Sequence, residues 1–184
     1  TKIREGNSDD IRECIGCNIC IASWHDGVPV RCTQNATAGE EWRRGWHPER
    51  FTKASEPSNV LVVGGGPAGL EAALVAAKQG FEVTIAEQTD DWGGRVLQES
   101  QLPGMATWRR VRDYRVWALS QMGNVSMYTN SELDAEAALS FGADHIAVAT
   151  GARWTKRLYS ALEIPAAPLD LPQILTPEDV FAGT

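Results

Sequence analysis

The sequence is 184 residues long, 43% of its residues are hydrophobic, and its formal net charge is −7. This length and apolar content predict a globular protein of one domain, or of one domain with a smaller appended unit. The acidic balance argues against nucleic acid and anionic membrane surfaces as partners, because both favour basic patches. No apolar run approaches the length that spans a bilayer.

The cysteines are confined to the first 32 residues, where three follow one another at two-residue gaps and a fourth follows after eleven intervening residues: Cys14, Cys17, Cys20 and Cys32. Such short steps place several sulfurs on one side of a tight turn, which favours a cubane iron–sulfur cluster. Zinc is the second interpretation, but it usually takes two separated Cys-x-x-Cys pairs or adds histidine. Two disulfides are the third, although nothing resembles a secretory signal. An oxygen-labile cluster predicts a reducing, cytoplasmic location.

Residues 1–57 are expected to form a loop-rich iron–sulfur segment around these cysteines. Ser8 and the two aspartates after it are typical helix-capping residues, and they predict a short helix that delivers the first two cysteines. Trp42 and Trp46 are expected to pack around the cluster, where an apolar environment tunes its reduction potential.

Residues 58–151 predict an α/β unit of the Rossmann-like, nucleotide-binding kind. The predicted elements are strand 59–63, a glycine-rich turn over 64–69, helix 70–78 ending at Gly80, and strand 81–86 ending at Glu87. A Gly-x-Gly-x-x-Gly turn between a strand and a helix, with an acid after the next strand, is typical of dinucleotide sites. Gly64 permits the turn, Gly66 lets a pyrophosphate approach, and Gly69 lets helix and strand pack closely.

An acidic side chain at Glu87 is positioned to accept hydrogen bonds from ribose hydroxyls and disfavours a ribose 2′-phosphate, so this turn is not expected to hold NADP. A later glycine pair and the end of the apolar strand 144–149 are expected to approach the same pyrophosphate. The candidate nucleotide-binding residues are Gly64, Gly66, Pro67, Ala68, Gly69, Glu87, Gln88, Gly93, Gly94, Arg95, Thr150 and Gly151.

The rest of the chain is predicted to continue this α/β pattern with helix 107–121, strand 125–128, helix 134–140 and strand 144–149. The arginines of the first of these helices are expected to form a solvated face: Arg109, Arg110, Arg112 and Arg115. Residues 152–184 contain several prolines and no strong periodicity, and they are expected to be a linker.

The cysteine pattern, and the segment from Cys32 to the Trp-Arg-Arg-Gly-Trp-His-Pro-Glu run, closely resemble the trimethylamine, dimethylamine and histamine dehydrogenases. These are iron–sulfur flavoproteins of the old-yellow-enzyme-like group, related to 2,4-dienoyl-CoA reductase. The likeness continues through the glycine-rich turn, the glycine pair before Arg95 and the Ala-Thr-Gly-Ala-Arg-Trp sequence that ends at Trp154.

The resemblance implies that an FMN-binding barrel precedes this chain in a homodimeric parent enzyme and that a second nucleotide-type domain follows it. The barrel would oxidise a small amine, and no catalytic residue is expected here. The four cysteines would hold a [4Fe–4S] cluster that passes electrons to an electron-transferring flavoprotein. The nucleotide site would hold ADP, or FAD in the reductase branch.

Two alternatives remain open at this point. An NAD(P)H-dependent enoate or 2,4-dienoyl-CoA reductase would carry FAD at the Gly66 site, although its third cysteine typically follows one residue later than Cys20 does. A free-standing electron-transfer module is the other. Enzymes that demethylate N-methylated amino acids share much of this segment, so the substrate also stays open.

Overall fold

A computed structural model describes residues 2–45, 50–156 and 174–183. The chain folds into two compact units, residues 1–150 and residues 151–184. The predicted iron–sulfur segment and the predicted nucleotide-binding domain thus lie in one unit.

Over residues 2–45, the cysteine-bearing segment contains two short helices, α1 (Ile19–His25) and α2 (Glu41–Arg44), after a 3-10 turn at Ser8–Asp10. The prediction of a helix that delivers Cys14 and Cys17 is wrong, because both residues lie in irregular chain. Gly16 and Asn18 adopt positive φ angles of 70° and 57°, which interrupt a right-handed helix.

The predicted packing of tryptophans around the cysteines is also wrong for Trp42, whose side chain is 81% exposed. Trp42 lies on the short helix α2, which has no buried residue of its own. Trp46 lies outside the described residues.

The α/β part of the first unit alternates strands and helices in the predicted order. Its elements are β1 (Asn59–Val63), α3 (Pro67–Gln79), β2 (Glu82–Ala86), α4 (Arg95–Glu99), α5 (Arg110–Ser120), β3 (Val125–Tyr128), α6 (Ala135–Ser140) and β4 (His145–Val148). A 3-10 turn, Ala106–Arg109, leads into α5. This arrangement confirms the predicted α/β class and its strands.

The described strands form a parallel sheet in the order β3-β2-β1-β4. Val62 of β1 is in register with Ile85 of β2 and with Ala147 of β4. A parallel sheet with helices on its faces buries its central strands from both sides, which is why β1 reads as a continuous apolar run.

The main apolar core lies between this sheet and helices α3 and α5. Leu70, Leu74 and Ile85 are fully buried there, and each such side chain contributes roughly 1.5–3 kcal/mol by leaving water. On the opposite face, Leu61 and Val63 pack against Ala138 of α6. These two cores fix the ends of β1 and β2, between which the candidate nucleotide site lies.

The second unit is described over residues 151–156 and 174–183, where a linker was expected. It contains one short helix in these ranges, α7 (Pro177–Ala182), with Thr176 and Asp179 forming a capping box. No helix within the described part of the chain is long and apolar enough to cross a membrane.

Candidate functional site

The turn over residues 64–69, called the nucleotide turn below, is shaped by close backbone packing. Gly64 has φ of 107°, and a Cβ there would lie 2.4 Å from the carbonyl oxygen of Ala149. A Cβ on Gly69 would lie 1.9 Å from the carbonyl oxygen of Gly64. No side chain fits at either position, because helix α3 and strand β4 meet the turn in direct backbone contact.

Gly66 differs from these two glycines because the space beside it is open. A Cβ built on Gly66 meets nothing within 4 Å, and its φ of −72° suits any residue. Gly66 is the N-cap of α3, and no described side chain caps this helix end. The N–H groups of Ala68 and Gly69 follow Pro67 in the first turn, so the helix end offers donors and partial positive charge to an anion.

Glu87 lies at the end of β2 and is 6% exposed. Its Oε2 accepts a hydrogen bond from the Gly65 N–H at 2.6 Å, and its Oε1 accepts from the N–H and hydroxyl of Thr89, both at 2.9 Å. A carboxylate has roughly four acceptor positions, so a hydroxyl can still be accepted. Gln88 beside it is exposed. Thr89 is a partner of Glu87 that the sequence pattern does not reveal.

The later glycine pair lies directly against the nucleotide turn. The Gly93 N–H donates to the Gly65 carbonyl at 2.9 Å, and a Cβ on Gly94 would lie 3.4 Å from the Cα of Gly66. The Trp92 ring covers Gly65, where a Cβ would lie 2.5 Å from it. The structure therefore brings together the two glycine motifs that the sequence only suggested were neighbours.

Arg95 and Thr150, two other predicted nucleotide residues, belong to the same unit as this site. Arg95 begins helix α4 directly after the glycine pair. Thr150 is exposed and follows Ala149, whose backbone supports Gly64. Gly151 has φ of 84° and belongs to the second unit.

The cysteines are all free thiols; Cys17 is partly buried and the other three are exposed. The Gly16 N–H points at the sulfur of Cys14 at 3.3 Å, and the hydroxyl of Thr33 lies 3.2 Å from the sulfur of Cys17. The second contact brings the residue after Cys32 against Cys17, although these two cysteines are fifteen positions apart in sequence.

Burial raises the pKa of the Cys17 thiol, but hydrogen bonds from the Thr33 hydroxyl and from the backbone at Ile19 and Thr33 outweigh it. The net result is a pKa below the ordinary value of a cysteine. The thiolate is the form that binds metal, so these contacts favour a ligand.

Within the described ranges, no three His, Cys, Asp or Glu side chains surround a point that a single metal ion would fill. Four free thiols are the ligand set that a [4Fe–4S] cluster takes. Two of their sulfurs, those of Cys14 and Cys17, already have an N–H or hydroxyl group beside them.

An apolar cavity of about 280 Å³ separates the cysteine segment from the nucleotide turn. The cavity is lined by Ile15 and Cys17 of the cysteine segment together with Pro67, Arg95 and Trp108. The two candidate cofactor sites are therefore neighbours within one unit.

Three charged side chains join the cysteine segment to the helices, and we call them the charged clamp: Arg12, Glu71 and Arg115. The prediction of a solvated arginine face on α5 is wrong for Arg115, which is 3% exposed. It is also wrong for Arg112, whose side chain is 20% exposed and pairs with Asp91 at 2.6 Å. One signal was available in the sequence. Arg115 lies four residues from both Val111 and Leu119, on the buried face of the helix.

Comparison with known proteins places these features among flavin-dependent oxidoreductases. Residues 30–168 match the family model described as pyridine nucleotide-disulphide oxidoreductase. The chain is 43% identical to dimethylamine dehydrogenase of Hyphomicrobium sp. (strain x), with 99% of this chain and 26% of that protein covered.

Two solved structures are similar over 99% of the chain. One is 6-hydroxypseudooxynicotine amine oxidase from Pseudomonas geniculata N1, at 50% identity, a TM-score of 0.91 and 28% of that chain. The other is histamine dehydrogenase from Rhizobium sp. 4-9, at 48% identity, a TM-score of 0.90 and 27% of that chain. The chain spans about a quarter of the length of these proteins, and their names confirm the expected resemblance to amine dehydrogenases.

Proposed function

The chain belongs to the pyridine nucleotide-disulphide oxidoreductase family, and on this premise we propose that it is the electron-transfer part of an iron–sulfur flavoprotein amine dehydrogenase. The observation that carries the proposal is the placement of four free cysteines and an open nucleotide turn in one compact unit. Similarity to dimethylamine and histamine dehydrogenases along nearly the whole chain supports it.

The nucleotide turn would bind the pyrophosphate of ADP. The open space at Gly66 admits the phosphates, and the uncapped N-terminus of α3 supplies N–H donors. Glu87 would accept the ribose hydroxyls, while Gly93 and Gly94 allow the second loop to close over the phosphates. FAD shares the ADP moiety, so the identity of the bound nucleotide decides between the amine dehydrogenase and the reductase branch.

Cys14, Cys17, Cys20 and Cys32 would be the ligands of a [4Fe–4S] cluster. When bound, such a cluster exchanges single electrons at a potential set by its charge, hydrogen bonds and exposure. The residues of this chain would supply the thiolates and donate hydrogen bonds to their sulfurs, as Gly16 already does toward Cys14.

The whole protein would oxidise a small amine. A C–H bond beside the nitrogen would break, with its hydrogen and two electrons going to a flavin of the whole protein, which supplies the oxidising chemistry when bound. Water would hydrolyse the resulting iminium to a carbonyl compound and a smaller amine or ammonia. This chain would lie on the path by which the electrons leave toward an electron-transferring flavoprotein. A reducing cytoplasm is the compartment that suits the cluster.

The composition of the purified protein tests this proposal. The protein should be produced as its gene encodes it, handled without oxygen, and assayed for iron, acid-labile sulfide, zinc and released nucleotide. We expect about four iron and four sulfide per chain, as a [4Fe–4S] cluster requires, together with ADP. Zinc in place of iron would contradict the cluster, and FAD released from this site would favour the reductase branch.

Two variants assign the groups to residues. Cys17→Ser removes a thiolate ligand and is expected to abolish or degrade the cluster while leaving the nucleotide content unchanged. Gly66→Val fills the open space at the turn and is expected to remove the nucleotide while sparing the iron. Full iron content in the first variant, or full nucleotide content in the second, would contradict these assignments.

A further inference from the structure

We propose that Arg115 is a positioning residue for the loop that carries Cys32, fastening this loop to the nucleotide-binding helix α3. The inference rests on the proposed cluster at the four cysteines. It assigns a role to a buried charge that the nucleotide turn and the ligand set leave unexplained.

The guanidinium of Arg115 joins three segments of the first unit. Its Nε donates to Oε2 of Glu71 on α3 at 2.6 Å. Its Nη1 donates to the side-chain oxygen of Gln34 at 2.8 Å, and its Nη2 donates to the carbonyl oxygen of Thr33 at 3.2 Å. A planar fork with fixed donor directions holds the helix and the loop at once, and an ammonium group, which lacks that fork, would hold them less firmly.

The loop that Arg115 holds supports sulfur ligands on two sides. Thr33 follows Cys32 in sequence, and its hydroxyl lies 3.2 Å from the sulfur of Cys17. Gln34 is 3% exposed, and its amide donates to the carbonyl oxygen of Glu13, the residue before Cys14. Displacement of this loop would therefore move Cys32 and also remove the supports of two other ligands.

Arg12 reinforces the same arrangement from the other side. Its Nη1 donates to the backbone carbonyl of Gln34 and lies 3.4 Å from Oε1 of Glu71. The guanidinium also stacks on the Tyr114 ring, 4.5 Å from the ring centroid. Glu71 is thus held by two arginines, and both arginines reach the loop at Gln34.

A buried ion pair of this kind costs desolvation free energy, and an apolar side chain often packs there equally well. Burial lowers the pKa of Arg115, an effect that the neighbouring Glu71 carboxylate opposes. Val111, Ala118 and Leu119 share the buried face of the helix, so a leucine in place of Arg115 would complete it. Fixing the position of the loop is a role that the leucine would not perform.

The test compares iron retention in Arg115→Met, Arg115→Lys and Arg109→Met, each in the protein as its gene encodes it. Iron release to a chelator is followed without oxygen, together with nucleotide content and thermal stability. We expect Arg115→Met to release iron about 10-fold faster, the lower end of the effect of removing a group that orients metal ligands. Lysine should restore part of the retention. Arg109 is exposed and serves as the matched control.

Gln34→Met provides an independent variant, because it breaks the contact on the loop side and leaves the Arg115–Glu71 pair in place. It is also expected to release iron faster. Wild-type release rates in both Gln34→Met and Arg115→Met would overturn the proposal. So would faster release in Arg115→Met alone, matched by an equal loss of stability and nucleotide, because Arg115 would then be a general packing residue.

The midpoint potential of the cluster is a second readout, because it depends on nearby charge and a change in packing alone would not shift it in opposite directions. Removing the positive charge in Arg115→Met should lower the midpoint potential of the cluster, and removing the negative charge in Glu71→Gln should raise it. If the midpoint potential shifts in the same direction in both variants, or in neither, the Arg115–Glu71 pair does not act on the cluster and the proposal is contradicted. A wild-type protein that contains no iron would instead overturn the proposed function, and this inference with it.

Discussion

The nucleotide turn and the cysteine segment lie side by side in one unit, but they are held by different forces. The turn is fixed by backbone contacts that leave no room for a Cβ at Gly64 or Gly69, above a fully buried apolar core. The cysteine segment has a small apolar anchor at Ile15, and polar contacts tie it to the helices. These contacts are the charged clamp, the Arg110–Glu13 ion pair and side-chain hydrogen bonds to the carbonyl oxygens of Cys14 and Ile15. Steric constraint defines the first region, and directed hydrogen bonds define the second.

This difference indicates how each region meets its cofactor. The nucleotide turn has its open shape before any nucleotide binds, because backbone atoms of neighbouring residues already require glycine at Gly64 and Gly69. The cysteines lie in irregular chain, and three of them are exposed. We therefore expect substitutions in the turn to affect folding first, and substitutions around the cysteines to affect cofactor retention first.

The largest effect is expected for Gly69→Ala. Its Cβ would overlap the carbonyl oxygen of Gly64, so helix and strand must separate, and we expect a loss of about 3 kcal/mol in the free energy of unfolding. Gly66→Ala is the matched control, because its Cβ meets nothing. It should change stability by no more than about 0.5 kcal/mol and still weaken nucleotide binding. Denaturant titration and nucleotide content measure both; equal destabilisation would contradict the comparison.

A smaller effect is expected for Ile15→Ala, which truncates the apolar anchor of the cysteine segment. Ile15 is 4% exposed and packs with Val96 and Val111. We expect a loss of about 2 kcal/mol, the lower end for such truncations, because this cluster is small. Hydrogen exchange should become faster in residues 11–18 and stay unchanged in β1. Equally faster hydrogen exchange in β1 would mean that the cysteine segment and the sheet are not stabilised separately.

Glu87→Gln is expected to cost about 1 kcal/mol. The neutral amide oxygen is a weaker acceptor than the carboxylate oxygen that it replaces. The amide NH₂ group takes the place of the other carboxylate oxygen, so it faces an N–H donor and leaves it without an acceptor. The affinity for ADP should fall as well. Asp90→Asn, at an exposed neighbouring carboxylate, is the control and should change neither quantity. Unchanged ADP affinity in Glu87→Gln would contradict the assigned role in ribose binding.

The smallest effect on stability is expected for Arg109→Glu, at a site that is 57% exposed. Stability should change by less than about 0.5 kcal/mol. If this surface docks an acidic electron carrier, electron transfer should slow at low ionic strength, and the difference should disappear at high ionic strength. The reduction of electron-transferring flavoprotein at several salt concentrations measures this. A salt-independent, wild-type rate would leave Arg109 a solvated side chain.

The sequence predicted most of the α/β architecture because the determinants of those elements are local. An apolar run and a glycine pattern each act over a few consecutive residues, and Glu87 directly follows the strand that it ends. Helix α3 begins at Pro67, earlier than predicted, because proline at the first helical position lacks only an N–H that has no intrahelical partner there.

The charged clamp was not predicted because its determinants are distant in sequence. Arg115 meets Gln34 across 81 positions and Glu71 across 44, and charge alone suggested solvent exposure. The irregular chain around Gly16 and Asn18 was missed because positive φ angles there depend on the folded context of the segment. The position of Arg115 on the apolar face of its helix was the one usable signal in the sequence. It indicates burial, which the structure shows, whereas the charge of Arg115 suggested exposure.

The most direct test of the central claim is anaerobic mixing of the protein, as its gene encodes it, with dimethylamine, trimethylamine, histamine or NADPH. Flavin absorbance reports oxidation of the substrate, and electron paramagnetic resonance reports electrons on the iron–sulfur cluster. We predict that one of the amines bleaches the flavin and that a reduced-cluster signal follows. Bleaching by NADPH and by none of the amines would contradict the amine dehydrogenase proposal and assign the chain to the reductase branch.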